Sequence, residues 1–239
     1  GRTVFERLKL WNSSIFLGLV YGKNTAYIPN GIMANAVADV SWWHNRTTSP
    51  TWWVNWPDNA PTCANSQNVA NKAIEFIGIH QNDSFYLVVY FGVPDCSGHF
   101  AGENSVNYDN ALINVDSGIG ILLDTLETYG LNGSTQIIIS ADHGWNEGTT
   151  GHGTNALDTR TLPLITNNKT LIENIYSKGE RKQCDITPTI LNYFGMNSSD
   201  YQLITDNGCG SMINHTRSIS ITSSKYFKYI MRDNPSEWF

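Results

Sequence analysis

Phe85-Tyr86-Leu87-Val88-Val89-Tyr90-Phe91 runs through Gly92-Val93-Pro94 into Asp95-Cys96-Ser97-Gly98-His99, and Gln136-Ile137-Ile138-Ile139-Ser140 runs into Ala141-Asp142-His143-Gly144. Short apolar runs with no polar alternation are what strands covered on both faces require, so each reads as a buried β-strand. Both strands deliver an Asp and a His just past the carboxyl end, and a third histidine follows in Gly151-His152-Gly153. Hard carboxylates and borderline imidazoles gathered there describe a zinc-type site at the carboxyl edge of an α/β sheet.

Outward from these strands, helical and extended periods alternate. Residues 3–11 have apolar positions at helical spacing, and 15–21 is a β-rich run closed by Gly22-Lys23. Ser66 serves as an N-cap for a helix with Val69, Ala70, Ala73, Ile74 and Ile77 on one face. Residues 105–129 place Tyr108, Ala111, Leu112, Val115, Ile119, Leu122, Leu123 and Leu126 on one stripe, ended by Gly130. Residues 162–166 form a further strand. Asp185-Ile186-Thr187-Pro188 opens a helix that runs to Phe194 and stops at Gly195. The expected fold is α/β, a mainly parallel sheet sandwiched between helices. Residues 1–239 read as one incomplete domain. Within it, 24–65 is an irregular Trp-rich cap or excursion and 218–239 a terminal hairpin or tail.

The bulk composition narrows the function classes. Net charge is −6 with no Lys/Arg cluster, so binding to a nucleic-acid backbone has no electrostatic support. No apolar run reaches the roughly 20 residues a membrane-spanning helix needs. The four cysteines, at 63, 96, 184 and 209, allow two disulfides in three connectivities, and Cys96 can equally be a free buried thiol in the metal loop. Asn-x-Ser/Thr sequons begin at Asn12, Asn45, Asn82, Asn132, Asn168, Asn197 and Asn214. Charged residues are only 15% of the chain. With the even cysteine count and the sequons, this favours an N-glycosylated protein of the extracellular space or the secretory lumen.

The ligand chemistry has constraints of its own. Asp95 and His99 are four apart, in a loop that Gly98 lets fold so that both side chains converge. Asp142 and His143 are adjacent and would diverge in extended backbone. They bind one ion if Gly144 turns the chain there, and otherwise flank two. Three His and two Asp exceed one tetrahedral zinc and suit an incomplete pair, the kind of site that stabilises both attacking and leaving oxygens at phosphorus. Lys23, after Gly22 at a strand end, is a candidate contact for an anionic substrate group, although a solvated lysine explains it as well. Asp109, Asp116 and Glu147 read as solvated carboxylates. His44, His80 and His215 fall outside the pattern.

Taken together, Asp95-x-x-Gly98-His99, the long helix, 135–144, Gly151-His152-Gly153, Leu162-Pro163-Leu164 and Asp185-Ile186-Thr187-Pro188-Thr189-Ile190-Leu191 resemble the alkaline phosphatase superfamily. The branch they look like is the type I phosphodiesterase/nucleotide pyrophosphatase group. The resemblance is good over residues 85–195 and looser over 1–23. It implies a metal-dependent hydrolase of phosphate esters with two divalent ions, zinc in kind. Asp95, His99 and His152 resemble the ligands of one ion, and Asp142 and His143 two ligands of the other. The family's Thr or Ser nucleophile and a further Asp are expected upstream of residue 1, so an N-terminal segment or another chain would complete the site.

The short spacing from His143 to His152 is more like the phosphoethanolamine transferases. A sulfatase is disfavoured, since the Cys/Ser-x-Pro-Ser-Arg motif is absent. The alternative from a different class is a non-catalytic extracellular module that keeps the fold.

Overall fold

The computed structural model describes residues 4–23, 40–43, 63–172, 182–197, 200 and 211–212. Helix α1 (Val4–Trp11) leads into strand β1 (Phe16–Tyr21), and β2 (Val40–Trp43) follows. Helix α2 (Ser66–Ile79), β3 (Phe85–Tyr90), α3 (Val93–Ala101) and α4 (Val106–Thr128) come next. They are followed by β4 (Ile138–Ser140), α5 (Leu157–Arg160), β5 (Leu164–Thr166), a 3-10 turn at Gln183–Asp185 and α6 (Ile186–Tyr193). Strand β1 lies in the middle of a parallel sheet ordered β2-β1-β3, with Gly18 opposite both Val40 and Leu87. Strands β4 and β5 pair antiparallel, Ile139 opposite Ile165.

Both faces of β1 are covered, as its apolar run requires. On one side Leu17 and Leu19 pack with Phe5 and Leu8 of α1 and Leu191 of α6. On the other, Val20 packs with Val69 and Ala73 of α2, joined by Leu122 of α4. Burying one such leucine contributes about 1.5–3 kcal/mol, so these two layers fix where the carboxyl ends of β1 and β3 emerge.

Several sequence expectations change in detail. The N-cap of α2 is Asn65, whose side chain accepts from Gln67 N at 2.7 Å; Ser66 is the first helical residue and fully buried. Ser105 caps α4 by accepting from Tyr108 N at 3.2 Å. The stripe of α4 is narrower than expected: its Ala111 and Leu126 are buried together with Gly118, whereas Leu112 and Leu123 are exposed. Gly118 allows this, because a side chain there would press on the Phe91 ring and on the Ser66 carbonyl.

Strand β2 lies inside the stretch expected to be irregular, and so does Cys63, which bridges to Lys23 just before it. The terminal hairpin expected at 218–239 falls outside the described residues, as do His44 and His215. Cys96 is not a free thiol: it is bonded to Cys63, and Cys184 is disulfide-bonded too.

Candidate metal centre

The site begins where β3 ends. Past Tyr90 the chain turns at Gly92 directly into α3, with Pro94 in the first turn, where its missing N–H leaves nothing unsatisfied. Asp95 and His99 therefore stand one helical turn apart on one face, not in a loop. Their spacing of four is helical, and the helix runs on through Gly98 to Gly102, whose φ of +85° ends it. Gly98 serves close approach rather than flexibility: α3 lies against Trp145 there.

From β4 come Asp142 and His143. Their side chains converge, with His143 Nε2 3.7 Å from Asp142 Oδ2. The turn at Gly144 is what brings them round. Gly144 N donates to Thr159 O at 2.8 Å, and a Cβ on Gly144 would run into the Asp158 carbonyl oxygen. The following loop returns His152 to the same place, its ring stacked on His143 with centroids 3.6 Å apart.

Asp95 is the hub. It is buried, and its Oδ2 accepts from Lys23 Nζ at 2.5 Å. Its Oδ1 is buried and makes no hydrogen bond, yet it lies 3.3 Å from His152 Nε2, 3.5 Å from His99 Nε2 and 3.6 Å from His143 Nε2. An unsatisfied buried carboxylate oxygen costs free energy unless something charged completes it. The histidines are arranged for that purpose. His99 Nδ1 lies 3.0 Å from the Thr150 carbonyl and His143 Nδ1 2.9 Å from the Gly144 carbonyl. A carbonyl can only accept, so each Nδ1 carries the proton and each Nε2 turns a lone pair inward. His99 Nε2 and His152 Nε2 are 3.1 Å apart. Asp95, His99 and His152 offer ligand atoms all within 4.8 Å of one another, a group that could hold a metal ion.

The electrostatics agree. The His152 imidazole is held below the usual histidine range, first by burial and next by the neighbouring His143, so it is kept in the neutral form that ligates. Asp142 stands at the rim, half exposed, and accepts from Tyr90 Oη at 3.3 Å. Lys23, considered from sequence as an anion contact, is the counter-ion of Asp95. Glu147 accepts from Asn104 Nδ2 at 3.1 Å in the outer loop, and His80 is a buried residue stacked on Phe16.

Three supporting residues were not foreseen. Trp145 is buried beneath the site, its ring centre 5.0 Å from that of His99 and 5.1 Å from that of His152, and its Nε1 donates to Thr149 O. Gln183 Nε2 donates to the carbonyls of both Ala141 and Asp142, at 3.1 and 3.0 Å. Tyr90 closes the apolar run of β3 and reads as one more strand residue. An aromatic immediately after Asp-His-Gly was a usable signal for Trp145; nothing near Gln183 marked it.

A family model for type I phosphodiesterase / nucleotide pyrophosphatase matches residues 12–189. Mouse ectonucleotide pyrophosphatase/phosphodiesterase family member 1 is 38% identical over 69 residues, 29% of this chain and 8% of that protein. Mouse family member 7 is 34% identical over 64 residues, 27% of this chain and 15% of that protein. Among solved structures, an alkaline phosphatase superfamily protein from Vibrio parahaemolyticus superposes with a TM-score of 0.55 at 18% identity, covering 81% of this chain and 47% of that one. The lipoteichoic acid synthase LtaP from Listeria monocytogenes gives 0.56 at 16% identity, covering 87% and 55%. The fold is that of the alkaline phosphatase superfamily, and the chain spans about half of these solved chains and a far smaller share of the curated relatives.

Proposed function

The chain belongs to the type I phosphodiesterase / nucleotide pyrophosphatase family, and from that premise we propose that it carries the metal ligands of a phosphate-ester hydrolase. Asp95, His99 and His152 hold one divalent ion, and Asp142 and His143 contribute to a second. Imidazole nitrogens with carboxylate oxygens select zinc over magnesium or calcium. The carrying observation is the Asp95 Oδ1 atom, buried without a hydrogen bond and faced by three Nε2 atoms.

Bound zinc-type ions supply Lewis-acid stabilisation of the negative charge that develops on oxygens at phosphorus. The protein's part is positioning. Lys23 fixes the Asp95 carboxylate so that Oδ1 faces the histidines. The Thr150 and Gly144 carbonyls set the tautomers of His99 and His143. Tyr90 and Gln183 hold the Asp142 turn. Trp145 excludes water from beneath the imidazoles. The attacking hydroxyl is assigned to a Thr or Ser supplied from outside this chain, and the substrate to a phosphodiester or pyrophosphate.

We place the protein in the extracellular space or the secretory lumen. The Cys63–Cys96 bond, the bonded Cys184 and the relatives named ecto-enzymes support this. No described helix is long and apolar enough to cross a membrane.

Metal content after dialysis against metal-free buffer tests the reading. Retained zinc that Asp95→Ala and His152→Ala both abolish is the expected result; a protein that holds none overturns the ligand assignment. In the complete enzyme, His99→Ala should lower zinc content and phosphodiester turnover together. Zinc retained with no hydrolysis of any phosphate ester would favour the non-catalytic module.

A further inference from the structure

The helix-to-strand turns share one edge of the molecule. Helix α1 ends at Trp11 and is followed by Asn12 before β1; α2 ends at Ile79 and is followed by Asn82 before β3; α4 ends at Thr128 and is followed by Asn132 before β4. Each of these asparagines opens a sequon and is exposed. The turns are neighbours. Phe16 N donates to Ser84 O at 2.9 Å, and the Phe16 ring stacks on His80 with centroids 4.2 Å apart. A Cβ on Gly78 would lie 3.2 Å from Tyr129 Oη. The metal ligands lie at the opposite, carboxyl edge, beyond Tyr90 and Ser140.

The same edge exposes apolar side chains beside every one of these sequons. Leu10 is 65% exposed and Trp11 45%, next to Asn12; Ile79 is 63% exposed, before Asn82; Tyr129 is 41% exposed, before Asn132. Four large apolar side chains exposed along one edge are surface that a neighbouring group can shield. A bulky, solubilising sugar on each adjacent asparagine supplies that shield.

Taking the secretory location from the reading above, we propose that Asn12, Asn82 and Asn132 carry N-linked glycans that cover this edge and leave the metal-bearing edge open. The step joins Nδ2 of the side-chain amide to the anomeric carbon of an oligosaccharide. That carbon's bond to the phosphate of a polyprenyl-pyrophosphate donor breaks, and one amide proton is released. The Asn12 side chain uses only its oxygen, accepting from Ser14 N at 2.9 Å, so its nitrogen is left to the sugar. Asn168 contrasts with it. It is half-buried, its nitrogen donates to Gln136 Oε1 at 2.5 Å and its oxygen accepts from Leu171 N, so it is assigned as bare. The sequons at Asn45, Asn197 and Asn214 extend beyond the described residues.

The test is glycopeptide mass spectrometry on the chain secreted from animal cells, beside the variant Asn12→Gln/Asn82→Gln/Asn132→Gln. The expected result is sugar on all three asparagines and none on Asn168. The triple variant should lose all three glycans and self-associate, with its zinc affinity unchanged. Single substitutions read each turn separately should the triple variant not fold. Secreted, zinc-binding protein bare at these three asparagines overturns the inference. Sugars present on a protein whose zinc content Asp95→Ala leaves unchanged would overturn the metal-ligand reading alone and leave this one standing.

Discussion

A Cβ built on Gly98 would sit 2.8 Å from two ring carbons of Trp145. The turn of α3 that separates Asp95 from His99 therefore rests directly on the indole that also backs His99 and His152.

Gly98→Ala makes two effects compete. Alanine in a helix interior gains about 1 kcal/mol over glycine. Against it, an overpacked methyl costs about 1–3 kcal/mol, and here the obstacle is a buried aromatic ring rather than the end of a flexible chain. Overpacking wins, and α3 must tilt. We expect a lower melting temperature and zinc affinity reduced about 10–100-fold, the usual effect of disturbing groups behind metal ligands. Competition titration with a chromogenic chelator reads it; unchanged affinity with a raised melting temperature would show that Trp145 simply moves aside.

Gln183 and Tyr90 both bond to the Asp142 turn, and their substitutions should differ in size. Gln183→Leu removes both donors to the Ala141 and Asp142 carbonyls, although water reaches these exposed groups. A loss of about tenfold in affinity is expected, the low end of the usual range. Tyr90→Phe removes one long hydrogen bond of 3.3 Å and should cost less. Calorimetric titration of zinc into the two variants decides the order, and a larger effect for Tyr90→Phe would reverse the assignment.

How much of this could be seen in the sequence follows from what each residue's signal depends on. The strands β3 and β4 and the Asp–His pairs after them are legible because an apolar run and its polar terminus are local patterns. The sequence puts Asp95 and His99 in a loop, because Gly98 reads as a breaker until Trp145 shows why no other residue fits. The Cys63–Cys96 pairing was open, since connectivity depends on where α3 packs and not on spacing. Gln183 was invisible: its role is two hydrogen bonds to backbone atoms some forty residues away. The stripe of α4 is legible at Ala111 and Leu126 but not at Leu112 and Leu123, because periodicity alone cannot say which apolar residues a neighbouring helix will cover.

The disulfide joins Cys63 and Cys96, 33 residues apart in sequence, and so ties the bridge partner of Lys23 to the residue beside Asp95. Replacing both cysteines by alanine removes that cross-link from the unfolded chain as well, at a cost of about 2–4 kcal/mol. It also loosens the Lys23–Asp95 pair. The double variant should melt lower and bind zinc more weakly, measured by thermal melts with and without zinc. If stability falls while affinity holds, the bond serves the fold and not the metal centre.

The acid side of the stability profile should be set in part by His152. Its folded-state pKa lies below the value of about 6.5 expected for the unfolded chain. Between those two values the unfolded state binds the proton and the folded state does not, so acid favours unfolding. For chelator-treated protein the melting temperature should hold above about pH 6.5 and fall as pH drops below it. His152→Gln should flatten that fall. Zinc affinity should weaken over the same range, because protons and metal compete for one Nε2 lone pair. Melts of both proteins at neutral and acid pH decide it: the same slope in His152→Gln would place the acid sensitivity elsewhere.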